Sequence, residues 1–180
     1  MNFKLYLFIL IACVSNIDLK AQADSSRPVK GWVKYSDSDY VISFPRGIRI
    51  EFNGAPGTRL MLITELENPN DSFRENIGLM SELNTNPNAR LDHYVTASQI
   101  KLDELINNFM LIESTRTSIN GFEAHKLIYS GKQGAYAIKW AQYLFLINGK
   151  AYILTYTSEL NSFEKYLDTF EKIASSISFK

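Results

Sequence analysis

Cysteine is almost absent from the sequence, because Cys13 is the only one among 180 residues. It lies in an apolar run near the start of the chain, so a mature protein without that run has no thiol at all. Such a protein has no disulfide, no thiol nucleophile and no thiolate metal ligand. A hydrophobic fraction of 46% still suffices for a globular domain, which must then be stabilised by its apolar core.

An excess of charge of one sign is also missing. Lysine and arginine total 19, aspartate and glutamate total 19, and the net charge is zero. Removing residues 1–23 takes away Lys4, Lys20 and Asp18 and leaves 17 basic and 18 acidic side chains. A nearly neutral chain has no overall positive field that attracts nucleic acid or anionic lipid. We therefore predict no nucleic-acid partner.

Motifs for catalysis, metals and cofactors are lacking too. His93 and His125 are far apart without metal-ligand spacing, and the nine glycines occur singly, not in a phosphate-binding loop. No G-x-S-x-G nucleophile motif is present. Asp37-Ser38-Asp39 offers two carboxylates to calcium but lacks the glycine and distal glutamate of an EF-hand loop. We predict no catalytic residue, no cofactor and no metal site, with an unidentified hydrolase built on scattered carboxylates as the minor alternative.

The N-terminus has the features of an export signal. Lys4 precedes an apolar run from Leu5 to Val14, which is shorter than the roughly 20 residues of a membrane-spanning helix. Such a run is typical of the hydrophobic part of a signal peptide, and Ala21-Gln22-Ala23 forms a cleavage pattern of small residues. We predict a signal peptide at 1–23, cleavage after Ala23, and export to the periplasm or the extracellular space.

Cys13 supports a second interpretation of the same segment. Leu10-Ile11-Ala12-Cys13 matches the lipobox of bacterial lipoproteins, in which the chain is cut before a cysteine that receives a lipid. The protein would then be an envelope lipoprotein, or a module that binds a small ligand or lipid, and would contact the membrane only through lipidation at Cys13. A simple signal peptide is the leading interpretation, because the apolar run before Cys13 is short and a cleavage pattern lies downstream.

The rest of the chain predicts one α+β domain. Residues 24–31 are a short polar leader, and residues 32–180 contain no repeat and no second boundary. Strand patterns precede a helix that ends near Asn107, and a meander of three or four strands then leads to a helix from about Ser162. This order predicts a mostly antiparallel sheet of about six strands.

Turn and cap signals add detail. Asn120-Gly121 and Asn148-Gly149 predict tight hairpins. Asn161 and Glu164 have the spacing of a capping box at the start of the last helix. The apolar stripe of that helix is predicted to contain Phe163, Leu167, Phe170, Ala174 and Ile177.

Alternation of apolar residues predicts which strand faces are buried. Ile48, Ile50 and Phe52 alternate with charged residues, which is typical of a half-buried strand. The same rule places Leu83 on one face of a later strand, together with Ile77 and Leu79, and Met80 on the other face.

The stretch at 135–147 is apolar on both faces. It lies between a glycine-flanked turn at 131–134 and Asn148-Gly149. Trp140 and Leu144 fall on one face, and Tyr143 falls on the other. A strand that is apolar on both faces is typical of a sheet centre covered on two sides, so we expect these aromatics to form core and not a ligand platform.

An ordered set of segments resembles the PsbP-like domain of bacterial exported proteins. That group includes DcrB-like periplasmic proteins and is related to nuclear Ran-binding factors of the same fold. The resemblance covers most of residues 35–179. It is carried by YVISFPRGIRIE, FRENIGLMSEL, LDHYVTASQIKLDELI, TSINGFEAHKLIYSG, NGKAYILTYTS and FEKIASSISF.

The resemblance implies a fold and a kind of role. It implies an antiparallel sheet with helices on both faces, an α/β/α sandwich, and a non-catalytic binding or assembly role with an envelope protein partner. Plant members have Trp or Phe soon after the strand-ending proline, where this chain has Arg46-Gly47-Ile48. Photosystem binding therefore does not carry over, and neither does any functional residue.

Overall fold

The computed structural model describes residues 31–52, 54–84, 86 and 88–180. The predicted cleavage site at Ala23 and the alternative lipidation site at Cys13 lie outside these residues. Within the described ranges, no helix is long and apolar enough to cross a membrane.

Strands dominate the described part of the chain, which also contains two helices. In chain order the elements are β1 (Trp32–Ser36), β2 (Tyr40–Pro45), β3 (Arg49–Glu51), β4 (Thr58–Ile63), β5 (Asn76–Leu83), α1 (Leu91–Leu105), β6 (Asn107–Ile119), β7 (Phe122–Gln133), β8 (Tyr136–Ile147), β9 (Lys150–Glu159), α2 (Phe163–Ser175) and β10 (Ser178–Phe179).

A seven-stranded sheet forms the centre of the fold. Its strand order is β3-β4-β5-β9-β8-β7-β6, and every neighbouring pair is antiparallel. The predicted α+β class and antiparallel pairing are confirmed, and this sheet has one strand more than the six or so expected. The four-strand meander β6 to β9 joins the earlier strands through β9, because β9 pairs with β5.

A second, three-stranded sheet was not predicted. Its order is β1-β2-β10, with Phe179 opposite Tyr40. The apolar stripe predicted a helix that reaches Ile177, but α2 ends at Ser175 and the chain then turns into β10. Ile177 is nevertheless fully buried, as its place in the apolar stripe predicted.

The core consists of two clusters that use alternate residues of the central strands. We call the one that includes Phe170 of α2 the α2 cluster, and the one that includes Leu102 of α1 the α1 cluster. In β8, Tyr143 belongs to the α2 cluster, whereas Trp140 and Leu144 belong to the α1 cluster. The prediction that the aromatic residues of this strand are core is therefore confirmed.

Both Asn-Gly turns form as predicted. Asn120 and Gly121 have φ of 50° and 81°, and Asn148 and Gly149 have φ of 49° and 74°. Two successive positive φ values define a type I′ turn, whose twist matches that of the paired strands. The turns connect β6 to β7 and β8 to β9 directly.

Two predictions about local structure are wrong, and a third residue shares a predicted face without being buried. Leu83 lies on the same strand face as Ile77 and Leu79 but is 77% exposed. Ile50 and Phe52 are also exposed, because β3 is a three-residue strand at the edge of the sheet. The Asn161 capping box does not form: the N-cap of α2 is Ser162, without a side-chain cap, and Glu164 instead accepts a hydrogen bond from Lys139 at 3.0 Å.

The side chain of Asn120 links its turn to the end of α2. Its Nδ2 donates to the carbonyls of Ser175 at 2.9 Å and Ile177 at 2.7 Å, which lie beyond the hydrogen-bonding pattern of the helix. Replacing Asn120 by glycine keeps the positive φ accessible but removes both bonds. We expect Asn120→Gly to lower the free energy of unfolding by about 1–2 kcal/mol.

The matched control for this prediction is Asn148→Gly. Asn148 has the same backbone conformation, but its Nδ2 makes only a 3.4 Å contact, with the carbonyl of Lys180. Urea unfolding of both variants should show the larger loss for Asn120→Gly, and equal losses would refute the capping role.

Candidate ligand-binding site

A pocket of about 390 Å³ lies between α2 and the large sheet. Its walls include apolar side chains from the β2–β3 connection, from β4 and β5, and from the loop after β4. The α2 side contributes Lys165, Tyr166 and Thr169, and Glu75 is among the lining residues. We call this cavity the Glu75 pocket, and its size is in the range of small-molecule sites.

Strand pairing brings Glu75 to this position. The amide of Thr64 donates to the Glu75 carbonyl at 2.9 Å, which continues the β4–β5 pairing by one step. Asn76 is opposite Thr157, so the next step along the same ladder brings Ser158 beside Glu75. Because alternate residues share a face, Glu75 points to the same side as Ile77, which belongs to the α2 cluster.

The Glu75 carboxyl is buried with few hydrogen-bond donors. The residue is 2% exposed. Oε2 lies 3.4 Å from the Thr64 hydroxyl, and Oε1 lies 3.4 Å from the Ser158 hydroxyl. Both hydroxyls are closer to a backbone carbonyl, Thr64 to that of Glu75 at 3.2 Å and Ser158 to that of Glu159 at 2.9 Å. The side-chain donors thus make only two long contacts with the carboxyl, and its other donor is the backbone amide of Glu75 itself.

Burial and nearby negative charge raise the pKa of Glu75. Desolvation is the main cause, and the carboxylates of Asp71 and Glu67 add to it. Among the described residues, Glu75 has no salt-bridge partner, because Lys165 pairs with Glu67 at 2.5 Å and Arg74 pairs with Glu65 at 3.4 Å. The pocket therefore holds a carboxyl that no cation of the described residues neutralises.

The raised pKa gives a pH-dependent prediction for Glu75→Gln. Since the folded-state pKa lies above the unfolded value, ionisation of Glu75 destabilises the fold at neutral pH, and this loss disappears as the pH falls to the unfolded value near 4.3. We expect Glu75→Gln to unfold at higher urea concentration than the wild type at about pH 7.5 and to match it at about pH 4.

The exposed carboxyl of Glu65 gives the control, Glu65→Gln. Its side chain is 82% exposed, so its removal should change stability little at either pH. A stability difference for Glu75→Gln that is the same at both pH values would contradict the burial of an ionisable group.

The structure brings Ser114 and His125 together on β6 and β7, which the sequence analysis did not foresee. The serine Oγ lies 2.8 Å from His125 Nε2 and accepts a hydrogen bond from Gln99 Nε2 at 2.9 Å. His125 Nδ1 is buried without a hydrogen-bond partner, and burial lowers the pKa of this histidine. The carboxylate that orients the base of a serine nucleophile is therefore missing at Nδ1. His93 lies on α1 and is exposed.

The two carboxylates of Asp37 and Asp39 are occupied by cationic side chains. Asp37 pairs with Arg59 at 2.5 Å, and Asp39 pairs with Lys150 at 2.7 Å. The Lys150 hydrogen bond is the main cause of the lowered pKa of Asp39. No group of three or more potential metal ligands occurs within the described part of the chain.

Sequence reasoning did not single out Glu75. A signal was present, because Glu75 shares the alternation of Ile77 and Leu79 and so belongs to the core-facing set of its strand. Its neighbours in the structure could not be predicted from local patterns, since Ser158 is 83 residues away along the chain.

Comparison with known proteins finds similar solved structures but no similar sequence. No family model matches the chain, and no curated protein matches it in sequence. PA94 of Pseudomonas aeruginosa, a protein of unknown function, has a TM-score of 0.59 and 12% identity, over 81% of this chain and 94% of that one. LpqN, involved in cell envelope biogenesis of Mycobacterium tuberculosis, has a TM-score of 0.61 and 13% identity, over 83% and 91%.

A cyanobacterial protein has the same architecture. PsbP of Synechocystis has a TM-score of 0.59 and 14% identity, over 90% of this chain and 99% of that one. Identities this low show the fold alone. The chain has the PsbP-like fold, as the resemblance in sequence predicted.

Proposed function

We propose that the protein is an exported, non-catalytic binding module of the bacterial cell envelope and that the Glu75 pocket is its binding site. The observation that carries this proposal is a cavity of about 390 Å³ with a buried carboxyl that has no cationic partner in the described part of the chain. Small-molecule sites are typically concave, mostly apolar and equipped with a few polar groups. The similar fold of LpqN, which is involved in cell envelope biogenesis, is compatible with a place in the envelope.

We further infer that α1 and α2 cover opposite faces of the large sheet, as an α/β/α sandwich requires. Successive strand residues point to opposite faces, and Tyr143 and Leu144 of β8 belong to the α2 and the α1 cluster, respectively. The Glu75 pocket then opens on the α2 face only.

Export itself is part of the proposal. The predicted signal peptide ends at Ala23, and the alternative is a lipoprotein anchored through Cys13. The intact mass of protein isolated from its source separates the two: a chain beginning at residue 24 supports the signal peptide, and a chain that begins at Cys13 with added acyl mass supports the anchor.

We also propose an envelope protein as a partner, which a small molecule in the pocket does not exclude.

Native mass spectrometry of the protein purified gently from its source tests the proposal. We expect the wild type to carry a small molecule and Leu66→Trp to lose it, because Leu66 lines the pocket and the larger indole fills it. Leu83→Trp is the matched control, since Leu83 is 77% exposed and lies outside the pocket lining.

The outcomes of this experiment differ in meaning. A small-molecule mass that Leu66→Trp removes and Leu83→Trp keeps supports the pocket as the binding site. A bare polypeptide mass for the wild type, or a mass that both variants keep, would refute it. A second protein in the spectrum would support the envelope partner.

A further inference from the structure

We infer that the Glu75 pocket binds an amphiphile with a primary ammonium head and an apolar tail. This inference rests on the proposed function, because it names the class of ligand for the same pocket. It follows from the hydrogen bonds, the charges and the walls around Glu75.

The hydrogen bonds call for a donor. Each carboxylate oxygen of Glu75 has one side-chain contact, at 3.4 Å, to a hydroxyl whose hydrogen is better placed on a backbone carbonyl, and the other donor to the carboxyl is its own backbone amide. An ionised carboxylate accepts about four hydrogen bonds, whereas an ammonium group has three donors and no acceptor. A primary ammonium head therefore supplies what the carboxyl lacks and forms a charge-assisted bond with it.

The charges around the pocket favour a cation. Three carboxylates, those of Glu65, Glu67 and Glu75, line it together with one cation, Lys165, which is already paired with Glu67. An anionic head would meet an uncompensated negative charge at Glu75. An ammonium head neutralises that charge. The attraction between the two opposite charges is strong because they are close together in a partly buried site.

The walls accommodate an alkyl tail. Ile48, Leu62, Leu66 and Ile77 line the pocket with aliphatic surface. Each buried CH₂ contributes about 0.8 kcal/mol, so each added methylene should tighten binding about fourfold until the pocket is full. Tail length then sets the affinity and Glu75 sets the choice of head.

Proton exchange accompanies binding. The groups that face Glu75 are Glu67 and Asp71 from the loop before β5, Lys165 and Tyr166 from α2, and Tyr156 from β9. Binding of an ammonium ion requires the ionised carboxylate, so a Glu75 that is protonated in the free protein releases its proton to the buffer. Lowering the pH therefore weakens binding, since protons compete with the cation for the same oxygen atoms.

Calorimetric titration of the full chain with n-octylammonium, n-octanol and n-octanoate tests the inference. We expect saturable binding of the ammonium compound, weaker binding of the alcohol and none of the carboxylate. Glu75→Gln should weaken ammonium binding about tenfold or more and abolish the weakening of binding at low pH. The matched control Asp103→Asn, at an exposed position of α1 outside the pocket lining, should change the affinity less than about twofold.

Other results would overturn the inference in distinguishable ways. Equal binding of the three probes, or ammonium binding that Glu75→Gln leaves unchanged, would refute the ammonium specificity while leaving the pocket as a binding site. No binding of any probe would also refute the inference, and the copurification experiment with Leu66→Trp would then decide separately whether the pocket binds anything.

Discussion

Replacing Phe170 by alanine is expected to lower the free energy of unfolding by about 3–5 kcal/mol, the range measured for buried Phe→Ala changes. Phe170 is fully buried on α2, and its ring centroid lies 5.8 Å from that of Tyr143 and 5.6 Å from that of Tyr156. Removing the ring opens a cavity between the helix and two central strands and forfeits both aromatic contacts. With no disulfide among the described residues, little else compensates for such a loss.

Urea unfolding monitored by circular dichroism measures this effect. Leu83→Ala is the control, because a side chain that is 77% exposed should change stability by no more than about 0.5 kcal/mol. A loss below about 1 kcal/mol for Phe170→Ala would mean that α2 is not packed on the sheet as described.

The second large effect is expected at Gly131, where alanine should lower the free energy of unfolding by about 1–3 kcal/mol through overpacking. A methyl group at this position would lie 2.2 Å from Ile106 Cγ2 and 3.0 Å from the carbonyl oxygen of Asn107. Ile106 is itself buried where α1 passes into β6, so it has little room to move. The backbone φ of Gly131 is not in the left-handed region, so the loss comes from the contact alone.

A double-mutant cycle isolates that contact. Leucine lacks the Cγ2 branch of isoleucine, so Ile106→Leu removes the nearest clashing atom while keeping the side-chain volume. We expect Gly131→Ala to cost less in the Ile106→Leu background than in the wild type. Strictly additive losses would show that the two residues do not interact.

The same glycine shows what local sequence patterns miss. Gly131 and Gly134 together suggested a turn at 131–134, but only Gly134, with φ of 59°, lies in the turn between β7 and β8. Gly131 lies within β7, where the absence of a side chain leaves room for Ile106 to pack against the strand. This contact joins residues that are far apart in the chain. A glycine that provides room and a glycine that provides a positive φ are identical in sequence.

Alternation predicted the faces of the strands correctly and their burial less well. The residues of β8 divide between the two clusters as the period of two requires. Leu83 follows the same alternation, but it pairs with Lys150 at the turn end of β9, beyond the covering layer. Periodicity determines which side a residue faces and carries no information about how far the opposing layer extends.

The candidate site could not be predicted because it depends on strand register. Glu75, Thr64 and Ser158 meet only because β5 pairs with both β4 and β9. The Asn-Gly turns specify the β6–β7 and β8–β9 hairpins locally, whereas no turn specifies the pairing of β5 with β9. The part of the fold with local signals was therefore predictable, and the part that forms the Glu75 pocket was not.

The three-stranded sheet has a consequence for how the chain becomes folded during synthesis. Tyr40 and Phe44 of β2 are buried in the α2 cluster, and the ring of Phe179 in β10 lies 4.7 Å from that of Tyr152. Since β10 pairs with β2, this part of the core combines residues from the two ends of the described chain and forms only when both are present. A chain that still lacks residue 179 leaves aromatic surface of β2 and β9 uncovered, which favours aggregation and proteolysis.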